Sequence, residues 1–439
     1  MDAKRQAATE IVARLRAEGF QAYLVGGCVR DLVMGRTPKD YDVATDATPE
    51  QVVRLYPYAL TVGAQFGVVI VPHEAGNVEV ATFRSDGRYA DGRHPTQVRY
   101  AKTPQADVRR RDFTINGLLL DPISGQVLDY VGGQADIRAR RLRTIGDPLE
   151  RFSEDRLRML RAVRFAARFE FALDAAAKVA IQKLAPHIHE VSAERVRDEI
   201  IKILIEGRAR RGLELMDETG LLVEILPEVK ALQGVAQPPE FHPEGDVWIH
   251  TLLMLEGLRH PTPTLALGVL LHDVGKPPTF SVRDRIRFDN HVEVGAKMAA
   301  EICARLRLST RETQRVIELV QHHLRFKDFP RMKRSTQLRF LRMAGFEEHL
   351  ELHRLDCLAS QGDLTNYELA RRLMEETPPA QIKPQPLLRG EDLIAQGYTP
   401  GPRFREILQA IEDAQLEGRL QSREDALRLV AEQFPLAPP

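Results

Sequence analysis

A chain of 439 residues is too long for one hydrophobic core, so roughly two to four domains are expected. Lys+Arg and Asp+Glu both number 62, which excludes a globally basic field and leaves any nucleic-acid binding to local arginine clusters. Three scattered cysteines, Cys28, Cys303 and Cys357, exclude a disulfide framework or a CxxC zinc site, and no run of about 18 apolar residues offers a membrane span, so a soluble protein of the reducing cytoplasm is expected.

The first residues form a charged amphipathic helical pattern that ends at Gly19. Next, Tyr23–Val25 reads as a strand, Gly26-Gly27 as a tight turn and Cys28–Met34 as a short helix stopped by Gly35. A helix that begins at a glycine pair directs free N–H groups outward, which predicts a phosphate at Gly27 and a charged fork from Arg30. Asp40 and Asp42 flank Tyr41 at the start of a strand, Tyr41–Ala44, and alternation predicts both carboxylates on one face. Hard oxygen ligands beside a phosphate cradle predict Mg²⁺, with Glu79 of NVEVATF as a third acid on a neighbouring strand. The order is that of a nucleotidyltransferase head, in which metal ions bridge carboxylates, a triphosphate and an attacking hydroxyl.

Thr48-Pro49-Glu50-Gln51 is a helix start, with Thr48 as cap and Gln51 reaching back. ALTVGAQFGVVIVPH and NVEVATF read as a hairpin that continues the sheet, and the polar stretch Arg84–Arg99 as a long functional loop. In ADVRRRDFTINGLLLDP, Arg111 is expected on the triphosphate, with Asp112 and Asn116 orienting it or the ribose.

From residue 141 to 225 the pattern is helical. Arg158, Arg161, Arg164 and Arg168 recur along one stripe of DPLERFSEDRLRMLRAVRFAARFEF with Asp155 as the only acid in register, a composition that suits a phosphate or base edge. Asp155 and Arg158, three residues apart, are predicted to share a helix face as one acceptor beside one donor fork. Cytosine and adenine both present an amine next to an unprotonated ring nitrogen, whereas guanine and uracil present the reverse, so the pair would accept C and A and refuse G and U.

GGCVRD with KDYD, RRDFTIN, the EDRLR helix and SAERVRDEI resemble, in order, the motifs of the class II tRNA nucleotidyltransferase and bacterial poly(A) polymerase family over about the first half of the chain. The resemblance implies a head, neck, body and tail and addition of C and A from CTP and ATP to the tRNA 3′ end, as a CCA-adding or A-adding enzyme or a poly(A) polymerase. It implies Asp40 and Asp42 as the metal-binding pair, Gly27, Arg30 and Arg111 as nucleotide contacts, and Asp155 and Arg158 as the base template. Arg161 and Arg164 are implied as further nucleotide contacts, and Ser192–Glu199 as a mainly structural neck motif. The second half resembles an HD-type phosphohydrolase domain, with His250, His272, Asp273, His291, His322 and Asp356 as ligands of a further divalent metal. The expected fold class is α+β: a small mixed-sheet head over 1–140, a helical neck over 141–225, an HD body over 226–373, a proline-rich linker, and a helical, acidic tail over 387–439.

Overall fold

Asp2 caps the first helix, α1 (Ala3–Ala17), by accepting from the Lys4 N–H, and Gly19, at φ +86°, follows its end. Ala7, Ala8, Ile11, Val12 and Leu15 form its buried face. They join a core with the sheet residues Leu24, Val43, Val69, Val71, Val78 and Val80. The structure is a computed structural model that describes residues 2–63, 67–86, 98–240 and 242–436. It divides into two units, Met1–Lys230 with Cys303–Leu308, and Ala231–Ile302 with Ser309–Pro439.

In the first unit the chain runs through β1 (Ala22–Val25), α2 (Gly27–Val33), β2 (Asp42–Thr45), α3 (Pro49–Leu55), β3 (Leu60–Gly63), β4 (Val68–Val71) and β5 (Val78–Thr82). It continues with β6 (Arg84–Asp86), β7 (Val98–Tyr100), α4 (Pro104–Arg109), β8 (Leu118–Leu120) and β9 (Val127–Asp129). Seven strands form one mixed sheet in the order β3-β4-β5-β2-β1-β8-β9. Among the described residues of this sheet, only β2 and β5 pair in parallel. That pairing sets Val43 against Val80 and brings the acids of the two strands to one end of the sheet. The predicted capping box at Thr48 is present. ALTVGAQFGVVIVPH itself supplies two strands, β3 and β4, so the expected hairpin is a three-stranded meander with β5. The middle of the loop Arg84–Arg99, residues 87–97, lies outside the described residues.

Helices follow: α5 (Gly133–Arg138), α6 (Pro148–Glu154), α7 (Leu157–Phe169), α8 (Ala175–Leu184), α9 (Ala193–Ile205), α10 (Ala209–Glu218), α11 (Leu221–Ile225) and α12 (Pro227–Lys230). A two-residue parallel pairing of β10 (Arg141–Leu142) with β11 (Ala172–Leu173) interrupts the helical pattern. The continuous helix expected across Asp155 is broken, because Asp155 takes extended backbone (φ −144°, ψ 105°) between α6 and α7. Its own carboxylate accepts from the Leu157 N–H at 3.1 Å, the local bond by which aspartate competes with helix continuation.

The second unit holds α13 (Val247–Gly257), α14 (Pro263–Leu271), α15 (Lys276–Thr279), most of α16 (His291–Arg305), α17 (Thr310–His322), α18 (Arg334–Leu341), α19 (Phe346–Ala359) and α20 (Thr365–Glu376). An antiparallel hairpin, β12 (Phe280–Val282) with β13 (Ile286–Phe288), stands where only helix was expected. Within the proline-rich linker one helical turn forms, α21 (Pro379–Ile382). The tail folds as α22 (Gly390–Ala395), α23 (Pro402–Leu416) and α24 (Arg423–Gln433) around Leu393, Ile407, Ile411 and Val430. Among the described residues no helix is long and apolar enough to cross a membrane.

Candidate functional site

A cleft of about 400 Å³ in the first unit collects residues from four separated stretches, the last represented by Arg195 of α9. Gly26, Gly27, Arg30 and Asp42 come from the β1–α2 turn, α2 and β2; Arg111, Asp112 and Asn116 follow α4; Asp155, Arg158 and Arg161 come from the α6–α7 break and α7. Gly26 has φ +76°, and a Cβ there would stand 3.2 Å from Arg111 Nη1, so bare backbone lets that guanidinium approach the start of α2. Arg111 is aimed by buried Asp107, whose Oδ2 accepts from its Nε and Nη2 at 3.2 and 2.9 Å. Burial raises the Asp107 carboxyl, but Arg111 and Arg110 outweigh it and lower the value.

Asp112 and Asn116 orient different arginines from the one expected. Arg161 closes on Asp112 Oδ2 with Nε and Nη2 at 3.0 and 2.7 Å, and Asn116 Nδ2 donates to Asp112 Oδ1 at 3.0 Å. Asn116 Oδ1 in turn accepts from Arg30 Nη1 at 2.7 Å, while Arg30 Nε donates to Asp31 and its guanidinium lies 4.6 Å from the Phe169 ring centre. Five polar residues thus form one relay at the cleft floor, buried at Arg30, Asn116 and Asp112 and half-buried at its Asp31 and Arg161 ends. Burial pushes the Asp112 carboxyl up, yet Arg161 and the hydrogen bonds from Asn116 and Phe113 hold it at about 2.

The arginine stripe has acidic partners that its own helix does not supply. Arg158 Nη1 donates to Glu154 at 2.7 Å, and Arg161 pairs with Asp112. Arg164 is closed by Glu199 at 2.7 Å and Glu206 at 3.1 Å, and Arg168 also reaches Glu206. Arg164, expected beside the nucleotide, is buried and does not line the cleft; α9 and its end receive it instead. Asp155 and Arg158 both line the cleft, but across the helix break rather than along one helical face.

Asp40 precedes β2 instead of lying within the strand, and exposure still alternates from exposed Asp40 through buried Tyr41 to half-buried Asp42. Burial and then the charge of Glu79 raise the Asp42 carboxyl to about 6, against the opposing pull of Arg111. Glu79 is exposed on β5, the parallel neighbour of β2. Crowded carboxylates of this kind are what a divalent cation relieves. Asp40 is turned to Lys4, whose Nζ lies 2.9 Å from Oδ1 and also donates to the Lys39 carbonyl. With Lys4 supplying the counter-charge, the head acids do not close into a ligand set; the triads of ligand atoms within 4.8 Å of one another, among the described residues, all fall in the second unit.

There His250, His272 and Asp273 form one such triad and Asp273, His291 and His323 another, sharing Asp273. Nδ1 of His272, His291 and His323 contacts the carbonyls of Val269, Phe288 and Val320 at 2.8, 2.8 and 2.7 Å. That pairing orients each ring and leaves Nε2 for a ligand. Asp273 Oδ1 and His291 Nε2 are buried without hydrogen-bond partners, and Oδ1 stands 3.9 Å from His291 Nε2 and 3.7 Å from His323 Nε2. These gaps are too long for hydrogen bonds and suit a cation held between donors at about 2 Å each. Asp356 completes the group at 3.1 Å from His250 Nε2. The expected ligand His322 is replaced by His323, because Val316, Leu319 and Val320 define the buried face of α17 and His323 continues it. Gly275 is required here, since a Cβ would run into the His291 carbonyl and the α16 backbone at Gly295.

Residues 22–143 match the Poly A polymerase head domain, 170–233 the probable RNA and SrmB binding site of polymerase A, and 247–355 the HD domain. The CCA-adding enzyme of Bacillus licheniformis is 44% identical over 218 residues, which span 50% of this chain and 55% of that enzyme. The chain therefore aligns with little more than half the length of such relatives at that level of identity. The CCA-adding enzyme of Bacillus cytotoxicus is 29% identical over 95% of this chain and 96% of its own. The structure of the Bacillus stearothermophilus CCA-adding enzyme in complex with CTP superposes with a TM-score of 0.68 at 28% identity, covering 98% of both chains. The chain thus matches a poly(A) polymerase head, an RNA-binding segment and an HD domain in succession, and is similar to CCA-adding enzymes along its length.

The cleft, where most of the expected residues meet, draws on the segment that matches the head domain. Three residues of the cleft and its surroundings escaped the sequence reading: Asp107, Lys4 and Arg195. Asp107 could have been found four residues before Arg111, at helical spacing. Lys4 and Arg195 carry no local signal, because each reaches an acid 36 or more positions away.

Proposed function

We propose that this protein adds C and A, as CCA or its terminal A, from CTP and ATP to the 3′ end of tRNA without a nucleic-acid template. The observation that carries it is the convergence in one cleft of a glycine turn with Arg111, the Asp112–Arg161 pair and the acceptor–donor couple Asp155 and Arg158, beside Asp42. Gly26, Gly27 and Arg111 receive the triphosphate, and the relay from Arg30 to Arg161 keeps the cleft floor rigid, so that reacting groups are held rather than sought. Asp155 takes the base amine and Arg158 donates to the ring nitrogen. A base of reversed polarity leaves both unpaired, a rejection worth up to about 10⁴. Asp40, on release from Lys4, and Asp42, with Glu79 as the third carboxylate, would hold Mg²⁺, which when bound would supply activation of the terminal ribose hydroxyl and charge relief on the leaving pyrophosphate. tRNA is a cytoplasmic substrate, and the protein is assigned to that compartment.

The deciding experiment offers purified protein tRNAs ending at the discriminator base, at C and at CC, each with one nucleoside triphosphate and Mg²⁺. Stepwise incorporation of C, C and A supports CCA addition; A on the CC end alone marks an A-adding enzyme, and long A tracts a poly(A) polymerase. No incorporation on any end sinks the proposal. A second activity is favoured by one observation, the orphaned Asp273 and His291 atoms under a cleft of about 390 Å³ lined by His242, Lys276, Phe288, His323 and Asp356. It is metal-dependent hydrolysis of RNA-terminal or nucleotide phosphates at the HD centre.

A further inference from the structure

Asp155 has the task of refusing the wrong base, and the local backbone does little to hold it. It sits at the break between α6 and α7, where no helical turn fixes its rotamer. The side chain that does hold it comes from α9: Arg195 Nη2 lies 2.9 Å from Oδ2 and 3.3 Å from Oδ1 of Asp155, and Arg195 lines the same cleft. We propose that Arg195 is a specificity-positioning residue, which aims the Asp155 carboxylate so that it presents a single acceptor to the incoming base. The inference rests on the base-reading role proposed for Asp155 and gives the SAERVRDEI stretch a part beyond structure.

An ionised carboxylate offers about four acceptor positions and no donor. On Oδ1, the Leu157 N–H at 3.1 Å and the longer Arg195 contact fill the oxygen; on Oδ2, the shorter Arg195 contact takes one position. One acceptor remains on Oδ2, matching the one exocyclic amine hydrogen that cytosine or adenine turns toward it. Without Arg195 the carboxylate turns about its χ angles and no longer enforces that geometry. Arg158 then reads the base alone, and a guanidinium donates to the oxygens of uracil and guanine as readily as to a ring nitrogen.

Arg195 is paired only with Asp155 among the contacts described, so its removal reaches the cleft through that carboxylate. The test measures kcat/KM for each of the four nucleoside triphosphates on a tRNA ending in CC, with equilibrium binding of the same four nucleotides in parallel. Wild type, Arg195→Ala and Arg195→Lys are compared in the full-length chain. Arg195→Ala is expected to lower the preference for A over G and U by about tenfold or more, while Arg195→Lys, which can still reach one oxygen, recovers part of it. An equal loss with all four nucleotides in Arg195→Ala, or an unchanged preference in either assay, overturns the assignment and leaves the residue a structural one. Wild-type protein that neither adds nor discriminates among nucleotides overturns the proposed function instead. Wild-type discrimination that survives both substitutions overturns the role of Arg195 alone.

Discussion

At the scale of single residues, two side chains show how surroundings outrank composition. Asp112 is an ordinary acid whose carboxyl falls from 3.8 to about 2 because burial is outweighed by Arg161 and by hydrogen bonds from Asn116 and Phe113. A lowered acid contributes stability above its unfolded value, here above pH about 4, and loses it as pH falls toward 2. Asp112→Asn is therefore expected to cost on the order of 2 kcal/mol near neutrality, with the difference from wild type shrinking as acid is added to about pH 2. Urea melts across that range check it, and a gap that widens on acidification excludes the pairing as its source. His322 and His323 are identical in composition and adjacent in the chain, yet only His323 faces Asp273, at 3.7 Å. His323→Ala should lower divalent-metal affinity by about ten- to a hundredfold, while His322→Ala leaves it near wild type. Metal content after dialysis distinguishes the two, and equal losses reject the choice of ligand.

At the scale of elements, the junctions hold the chemistry. Gly26 joins β1 to α2 with a positive φ and lies against Arg111, so Gly26→Ala meets both backbone strain and the guanidinium at 3.2 Å. The expected cost is about 1 kcal/mol of stability and a fall in nucleotide-addition kcat/KM of about tenfold or more, as Arg111 is displaced. Thermal melting and single-nucleotide kinetics separate the two effects; lowered stability with unchanged kinetics removes Arg111 from the site. The α6–α7 break is a second working junction. A continuous helix satisfies the apolar period of the segment, and the periodicity alone predicts one. Asp155 instead bonds the Leu157 N–H and leaves the ladder, and only then does it reach Arg195. In the second unit, Gly275 lets α16 approach so closely that His291 joins Asp273.

At the scale of the whole molecule, the head acids and the HD ligands belong to different units. Asp42→Ala is expected to abolish nucleotide addition while metal binding by the histidine centre stays intact. His272→Ala with Asp273→Ala is expected to remove that metal and any hydrolysis it supports while nucleotide addition persists. Loss of both activities in either variant rejects their independence. The sequence by itself determined the sheet-then-helix order, the glycine turn, the capping box at Thr48, the placing of Asp42 and Glu79 on neighbouring strands, and the presence of an HD-type domain. These are legible because periodicity, turn chemistry and short motifs act within a few residues along the chain. Only the tertiary structure decided which charge meets which: Asp112 with Arg161, Glu199 with Arg164, Arg195 with Asp155, and His323 rather than His322 with Asp273. The physical reason is that an ion pair in a cleft is chosen by the packing of elements far apart in sequence, and adjacent side chains of a helix point about 100° apart, so packing selects one of two neighbours.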